Sequence, residues 1–154
     1  MARAPAPNAA TVAAVATRDD VGFLLAKAAQ HWNDLLADRF AAAGYTDVRP
    51  AYGSVLLPLY EDDGLRMGEL ARRARLSKQT MTEMIRRLER DGLVERRPDP
   101  TDARASLIFL TDRSHRFEPV AAATLSDLDR LVRRRLSTQR LAELKRSLRD
   151  LMEI

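Results

Sequence analysis

The sequence predicts a mainly α-helical fold with one small β-hairpin. Three observations predict it. Apolar residues recur at three- and four-residue steps over most of the chain, the period of an amphipathic helix. That period changes once, between about residues 93 and 110, to short β-branched and aromatic runs around a Pro/Asp turn. The chain has 154 residues, 45% of them hydrophobic, enough for one domain with a real core.

The first stretch, MARAPAPNAATVAAVAT, is Ala/Pro-rich and carries a single charge, Arg3. Its prolines oppose an early helix and it lacks the strongly apolar centre of a secretory signal. A disordered tail over residues 1–18 is expected, and with it a cytoplasmic location. From Asp19 to about Ala43 a helix is expected. Its stripe is Val21, Leu24, Leu25, Ala28, Trp32, Leu35, Leu36 and Phe40, with Asp19 and Asp20 at the positive end of its dipole and Gly44 as its stop.

A second helix spans about Pro50 to Tyr60. Pro50 suits the first helical position, and Pro58 is expected to kink or end the helix. Glu61–Gly64 reads as an acidic turn. Two short helices follow, about Met67–Arg73 and Lys78–Asp91. Leu70, Ala71 and Ala74 form the apolar side of the first, and Met81, Met84, Ile85 and Leu88 that of the second. Ser77 is placed to cap the second and Gly92 to close it. Strands are expected at Leu93–Arg97 and Arg104–Leu110, joined by PDPTDA. Thr111 or Asp112 then caps a helix to about residue 136, interrupted near its start by Pro119. Ser137 or Thr138 caps the last helix, with a stripe of Leu141, Leu144, Leu148 and Leu151.

A short helix, a tight turn, a second helix and a hairpin, in that order, describe a winged helix-turn-helix. The expected division is a tail at 1–18, an N-terminal dimerisation helix at 19–47, the winged helix-turn-helix at 48–111 and C-terminal dimerisation helices at 112–154. The long apolar stripes of the outer helices need cover, and a symmetric homodimer supplies it economically.

Composition removes several function classes. With no Cys there is no disulfide framework, thiol nucleophile or thiol redox switch. The only two histidines, His31 and His115, cannot make a His-rich metal site, and no cofactor is expected. No apolar run approaches the roughly 20 residues of a membrane span. No phosphate-cradling Gly loop or nucleophile–His motif suggests an enzyme. The charge is uneven. Residues 1–65 hold 5 basic and 8 acidic residues, net −3, residues 66–104 hold 11 and 7, net +4, and residues 105–154 hold 10 and 7, net +3. A basic middle suits a polyanion, although charge alone fits a solvated Arg/Glu helix surface equally well.

The second short helix of the pair separates its faces. Opposite the apolar positions stand Lys78, Gln79, Thr82, Glu83, Arg86, Arg87 and Arg90. A recognition helix enters the major groove with its N-terminal part. Gln79 can read adenine bidentately and Lys78 can reach guanine acceptors, while the Ser77 and Thr80 hydroxyls suit phosphate oxygens. Arg86 lies two turns on, in reach of base or backbone. Arg96, Arg97 and Arg104 lie on or beside the hairpin turn, and an Arg-bearing tip suits the narrow minor groove. Asp102 is expected to pair with a neighbouring Arg and fix the tip.

The run MGELARRARLSKQTMTEMIRRLERDGLVERRPDPTDARASLIFLT resembles the MarR family of winged-helix transcriptional regulators. The resemblance is carried by LxxxGLVERR before the wing, DPTDARA at its tip and the LT that opens the next helix, and its flanking helices extend it over roughly residues 20–152. It implies double-stranded DNA as partner through an inverted-repeat operator. It also implies homodimers joined by the first and last helices, and usually repression. Residues Ser77 to Arg86 are implied as recognition-helix contacts, with Asp102 and Arg104 as the wing Asp-x-Arg. A small aromatic or anionic effector that releases the DNA is implied as well, with His31, Trp32, Arg39, Tyr52 and Leu56 as its candidate contacts. Four features depart from the pattern. Met67 stands where a polar cap is common, Arg75 where a Gly is common, Pro58 falls inside a helix, and the N-terminal tail is longer than typical. The alternative reading is a winged-helix module that binds a protein partner without sequence-specific DNA binding.

Overall fold

The computed structural model describes residues 17–154, so nearly all of the expected tail, residues 1–16, lies outside the described residues. The chain divides into two compact units at the Leu35/Leu36 boundary. Helix α1 (Val21–Ala42) runs through that boundary.

In the first unit, Asp20 caps α1. Its Oδ1 accepts the otherwise orphaned N–H groups of Gly22 at 3.0 Å and Phe23 at 3.2 Å. Val21, Phe23, Leu24 and Leu25 are largely exposed along this helix.

The second unit begins with the last turns of α1, where Leu36 and Phe40 are buried. Phe40 and Tyr45 each set a ring 4.9 Å from that of Phe117, Phe40 edge-on. Gly44, at φ 91°, reverses the chain after the helix. A 3₁₀ turn at Pro50–Tyr52 leads into α2 (Gly53–Glu61).

Pro58 does not end α2, which continues past it to Glu61. The ring removes one hydrogen bond, the one Ser54 would accept, at a cost of roughly 3 kcal/mol. Val55, Leu56 and Leu59 are at most 2% exposed on the same helix. Burying each is worth about 1.5–3 kcal/mol, so the packing holds the helix together. The same correction applies to Pro119. Helix α5 runs unbroken over Asp112–Arg135, with Ser114 and Phe117 buried before the proline and Thr124 and Leu128 after it.

Between α2 and the helix-turn-helix lies a strand absent from the sequence reading, β1 (Leu65–Arg66). Next come α3 (Met67–Ala74), α4 (Lys78–Arg90), β2 (Val94–Asp99) and β3 (Asp102–Leu110). The antiparallel sheet has the order β1-β3-β2, with Leu65 opposite Ile108 and Val94 opposite Leu110. Gly64, at φ 75°, admits β1 to the sheet, since a Cβ there would lie 2.6 Å from the Phe109 ring. The Asp63 carboxylate accepts the Leu110 N–H at 2.9 Å beside it.

The core under the wing joins α2, α3, α4 and the sheet through Val55, Leu59, Leu70, Met81, Ile85, Leu88, Leu93 and Ile108, each at most 1% exposed. Met84, expected in that core, is only half-buried. Thr111 caps α5 by accepting from Ser114 N–H, and Ser137 caps α6 (Thr138–Leu151) by accepting from Arg140 N–H, each at 3.3 Å. Helix α6 packs against α5 and buries Leu141, while Leu144, Leu148 and Leu151 stay about two-fifths exposed. The second unit is a winged helix-turn-helix with two further helices. Among the described residues, no helix is long and apolar enough to cross a membrane.

Candidate nucleic-acid interface

Helix α4 starts on a built cap. Ser77 has extended backbone, φ −65° and ψ 156°, and its Oγ accepts the Thr80 N–H at 3.1 Å. The Ser77 hydroxyl donates in turn to Thr80 Oγ1 at 2.8 Å. Thr82 donates its hydroxyl to the Lys78 carbonyl at 2.8 Å, and the Met67 sulfur lies 3.5 Å from the same oxygen. The three hydroxyl residues therefore have partners inside the helix-turn-helix. Lys78, Gln79 and Arg86 do not. All three are exposed, and among the described residues no hydrogen bond or ion pair engages their side chains.

The turn between α3 and α4 is closed by Arg75 in the left-handed region, φ 53°. Its N–H donates to the Arg72 carbonyl at 3.2 Å, and Leu76 N–H donates to that of Ala71 at 3.0 Å. A glycine is the usual occupant of this position, and a side chain there costs about 1–3 kcal/mol. On α3, Glu69 receives Arg72 and Arg73, and these two guanidinium groups hold its carboxyl well below the usual range, at about 2.

The hairpin is fixed beside its turn by Asp99, not by an ion pair of Asp102. Asp102 makes no guanidinium pair among the described residues; its Oδ1 accepts the Arg104 N–H at 3.0 Å, a two-residue Asx turn. The ion pair lies at Asp99. That carboxylate is 6% exposed and receives Arg66 from β1 through Nε at 2.7 Å and Nη2 at 2.5 Å. Thr101 adds its N–H at 2.8 Å and its hydroxyl at 2.7 Å. Thr101's two donors and then Arg66 hold the Asp99 carboxyl below its ordinary range. The sequence singles out neither Arg66 nor Asp99. Their one signal is Asp99-Pro100-Thr101, the spacing of an Asx turn.

The three wing arginines differ. Arg96 and Arg97 lie within β2 rather than at the tip, opposite Ile108 and Leu107. Arg96 pairs with Glu89 of α4 at 2.9 Å, which ties the strand to the helix. Arg97 pairs with Glu95 and lies 4.4 Å over the Phe109 ring. Arg104 is exposed, and among the described residues its side chain has no polar partner.

A second network seats the far end of α4. Tyr52 is 2% exposed and donates its hydroxyl to Asp91 at 2.5 Å. Burial first, then the Asp91 carboxylate, pushes the Tyr52 phenol above its usual range. Arg113 pairs with Asp47 at 2.6 Å and also donates to the Asp91 carbonyl. The Ser114 hydroxyl donates to the Leu93 carbonyl and that of Thr111 to the Gly92 carbonyl, the latter at 2.6 Å.

The five residues expected around an effector are placed differently from one another. Tyr52 and Leu56 are core residues, and the Tyr52 hydroxyl is already engaged. Arg39 is half-buried in the same unit, whereas exposed His31 and half-buried Trp32 belong to the first unit. Among the described residues, no cluster of His, Asp and Glu could hold a metal ion.

Comparison with known proteins falls on this same region. Residues 50–106 match the model of the MarR family. The chain is 44% identical over 59 residues to the HTH-type transcriptional regulator TtmR of Methylorubrum extorquens, a stretch covering 38% of this chain and 30% of that protein. Among solved structures, a probable transcriptional regulator from Pseudomonas aeruginosa is similar at 26% identity, covering 86% of this chain and 97% of the other, with a TM-score of 0.75. The transcriptional repressor CouR, bound to a 23-mer DNA duplex, is similar at 25% identity over 86% of this chain and 92% of the other, with a TM-score of 0.73. Through residues 50–106 and the winged helix-turn-helix they build, the chain is similar to the MarR family, and it spans under a third of the curated relatives it matches.

Proposed function

We propose that the chain is a homodimeric, sequence-specific DNA-binding transcriptional regulator, a repressor released from an inverted-repeat operator by a small aromatic or anionic ligand. One observation carries the DNA reading. Among the described residues, the capped start of α4 leaves Lys78 and Gln79 without internal partners, Arg86 is equally free along the helix, and a pinned wing leaves Arg104 free as well. Unpaired donors on a rigid helix start suit base edges, and a free guanidinium on a hairpin suits the minor groove. CouR, similar over most of this chain, is a repressor bound to duplex DNA. In this reading Ser77, Thr80 and Thr82 shape the helix start and meet phosphate with their remaining capacity, and Arg96 and Arg97 brace the wing. Asp102 sets the turn that carries Arg104. The effector role of His31, Trp32, Arg39, Tyr52 and Leu56 follows from the family resemblance. An effector that favours dimers with misplaced recognition helices weakens operator binding by linkage.

The test is a selection of random duplexes by the purified protein, with its mass in solution measured alongside. An enriched inverted repeat bound by a dimer supports the proposal. Weak enrichment without symmetry overturns it and leaves the protein-binding module as the reading to pursue by pull-down.

A further inference from the structure

Arg75 is the only non-glycine residue at positive φ among the described residues. It sits between α3 and Ser77, the cap of α4, where glycine would close the turn without strain. Its side chain does what glycine cannot. Nη1 donates to the Met152 carbonyl at 2.9 Å, and Nη2 meets Glu153 Oε1 at 2.6 Å. Met152 is the C-cap of α6, where carbonyls lack helical partners and the dipole is negative. One guanidinium therefore covers a helix end and neutralises a carboxylate, across 77 and 78 residues of sequence.

We propose that Arg75 is a positioning residue that straps the C-terminal end of α6 to the turn aiming α4. The proposal rests on the DNA-binding reading above. Both side chains of the ion pair are more than half exposed, 59% and 70%, so the strap is weak enough to open without unfolding the domain. Anything that shifts the end of α6 then loosens the turn two residues before the Ser77 cap. Strain is retained at Arg75 because the side chain it permits couples the last helix to the reading helix.

The experiment compares the full chain with Arg75→Ala, Arg75→Lys and Glu153→Gln. Two quantities are read: amide exchange over residues 71–81, and affinity for a selected duplex against a scrambled one. Alanine keeps a non-glycine residue in the left-handed turn, so by backbone preference alone Arg75→Ala would leave exchange unchanged. The strap predicts exchange faster by about threefold in that segment. Affinity for the selected duplex falls by a similar factor, while the scrambled duplex and the salt slope do not change. Glu153→Gln moves both readouts the same way, less far, and Arg75→Lys lies between wild type and Arg75→Ala. Unchanged or slower exchange in Arg75→Ala overturns the strap. Equal loss on both duplexes with a salt slope lower by about one identifies Arg75 as a phosphate contact instead, and also overturns it. Should the wild-type chain fail to discriminate between duplexes, the DNA reading falls, while the exchange readout still decides the strap.

Discussion

Arg104 differs from its neighbours by what it leaves untouched. Arg96 spends its charge on Glu89, and Arg97 spends its own on Glu95 and the Phe109 face. Moving either onto DNA breaks an existing pair. Among the described residues the Arg104 side chain has no polar partner to give up, so its removal is expected to cost the most affinity of the three. Arg104→Ala should weaken operator binding by about 1–3 kcal/mol. The melting temperature should not move, since no internal contact is lost; titration and thermal melting together check both halves. Gln79→Ala should relax base preference at one position in each half-site. Weakening every duplex equally would reduce Gln79 to a backbone contact. Ser77→Ala acts differently, because it removes the acceptor for Thr80 N–H. A loss of about 1 kcal/mol of folding stability is expected, measured by denaturant midpoint.

At the scale of elements, the wing owes its shape to a carboxylate. Folding lowers the proton affinity of Asp99, through Thr101 first and Arg66 after it. Its contribution is therefore complete above the unfolded value of about 4 and is lost as pH falls through the lower folded value. Exchange at the Thr101 amide should stay slow from neutrality down to about pH 4 and rise below it. Asp99→Asn should show fast exchange at every pH, and slow, pH-independent exchange there would remove the carboxylate from the account. Gly64→Ala tests the other side of the sheet. The left-handed backbone and the Phe109 ring at 2.6 Å both oppose a Cβ, so a loss of about 1–3 kcal/mol in a denaturant titration is expected. These same elements show what the sequence reveals. The helices, both serine caps and the hairpin strands are visible because each obeys a local period or a local cap. Strand β1 is not, since two residues carry no period and the pairing of Leu65 with Ile108 is long-range. Pro119 misleads for the converse reason: local propensity opposes the helix, and tertiary burial of Phe117 and Leu128 overrides it. In the interface, exposed donors on α4 follow from its apolar face. The Arg66–Asp99 latch and the Arg75 fork join residues 33 and 77 or more positions apart, beyond any local signal.

At the scale of the whole molecule, the proposed dimer rests on the outer helices. On α6, Leu144, Leu148 and Leu151 are 42%, 38% and 39% exposed, and Leu131 on α5 is 42% exposed. A fully buried leucine is worth about 1.5–3 kcal/mol, so covering the exposed fraction of these four on both copies contributes on the order of 5–10 kcal/mol before association costs. That range is about the size of the association cost itself, so neighbouring contacts must add to it before a dimer holds. Leu144 and Leu148 are one helical turn apart on a single face, and their exposure lets a substitution test association without hollowing the core. Leu144→Glu with Leu148→Glu should halve the sedimenting mass while leaving helical content and the melting of the winged domain intact. Operator affinity should then collapse toward that of one half-site, because two recognition helices read half-sites about 34 Å apart only when a symmetric interface fixes their spacing. A doubly substituted chain that still sediments as a dimer would place the interface elsewhere. A full chain that is monomeric from the start would remove the reason for an inverted repeat, and the selected duplexes would then carry a single site.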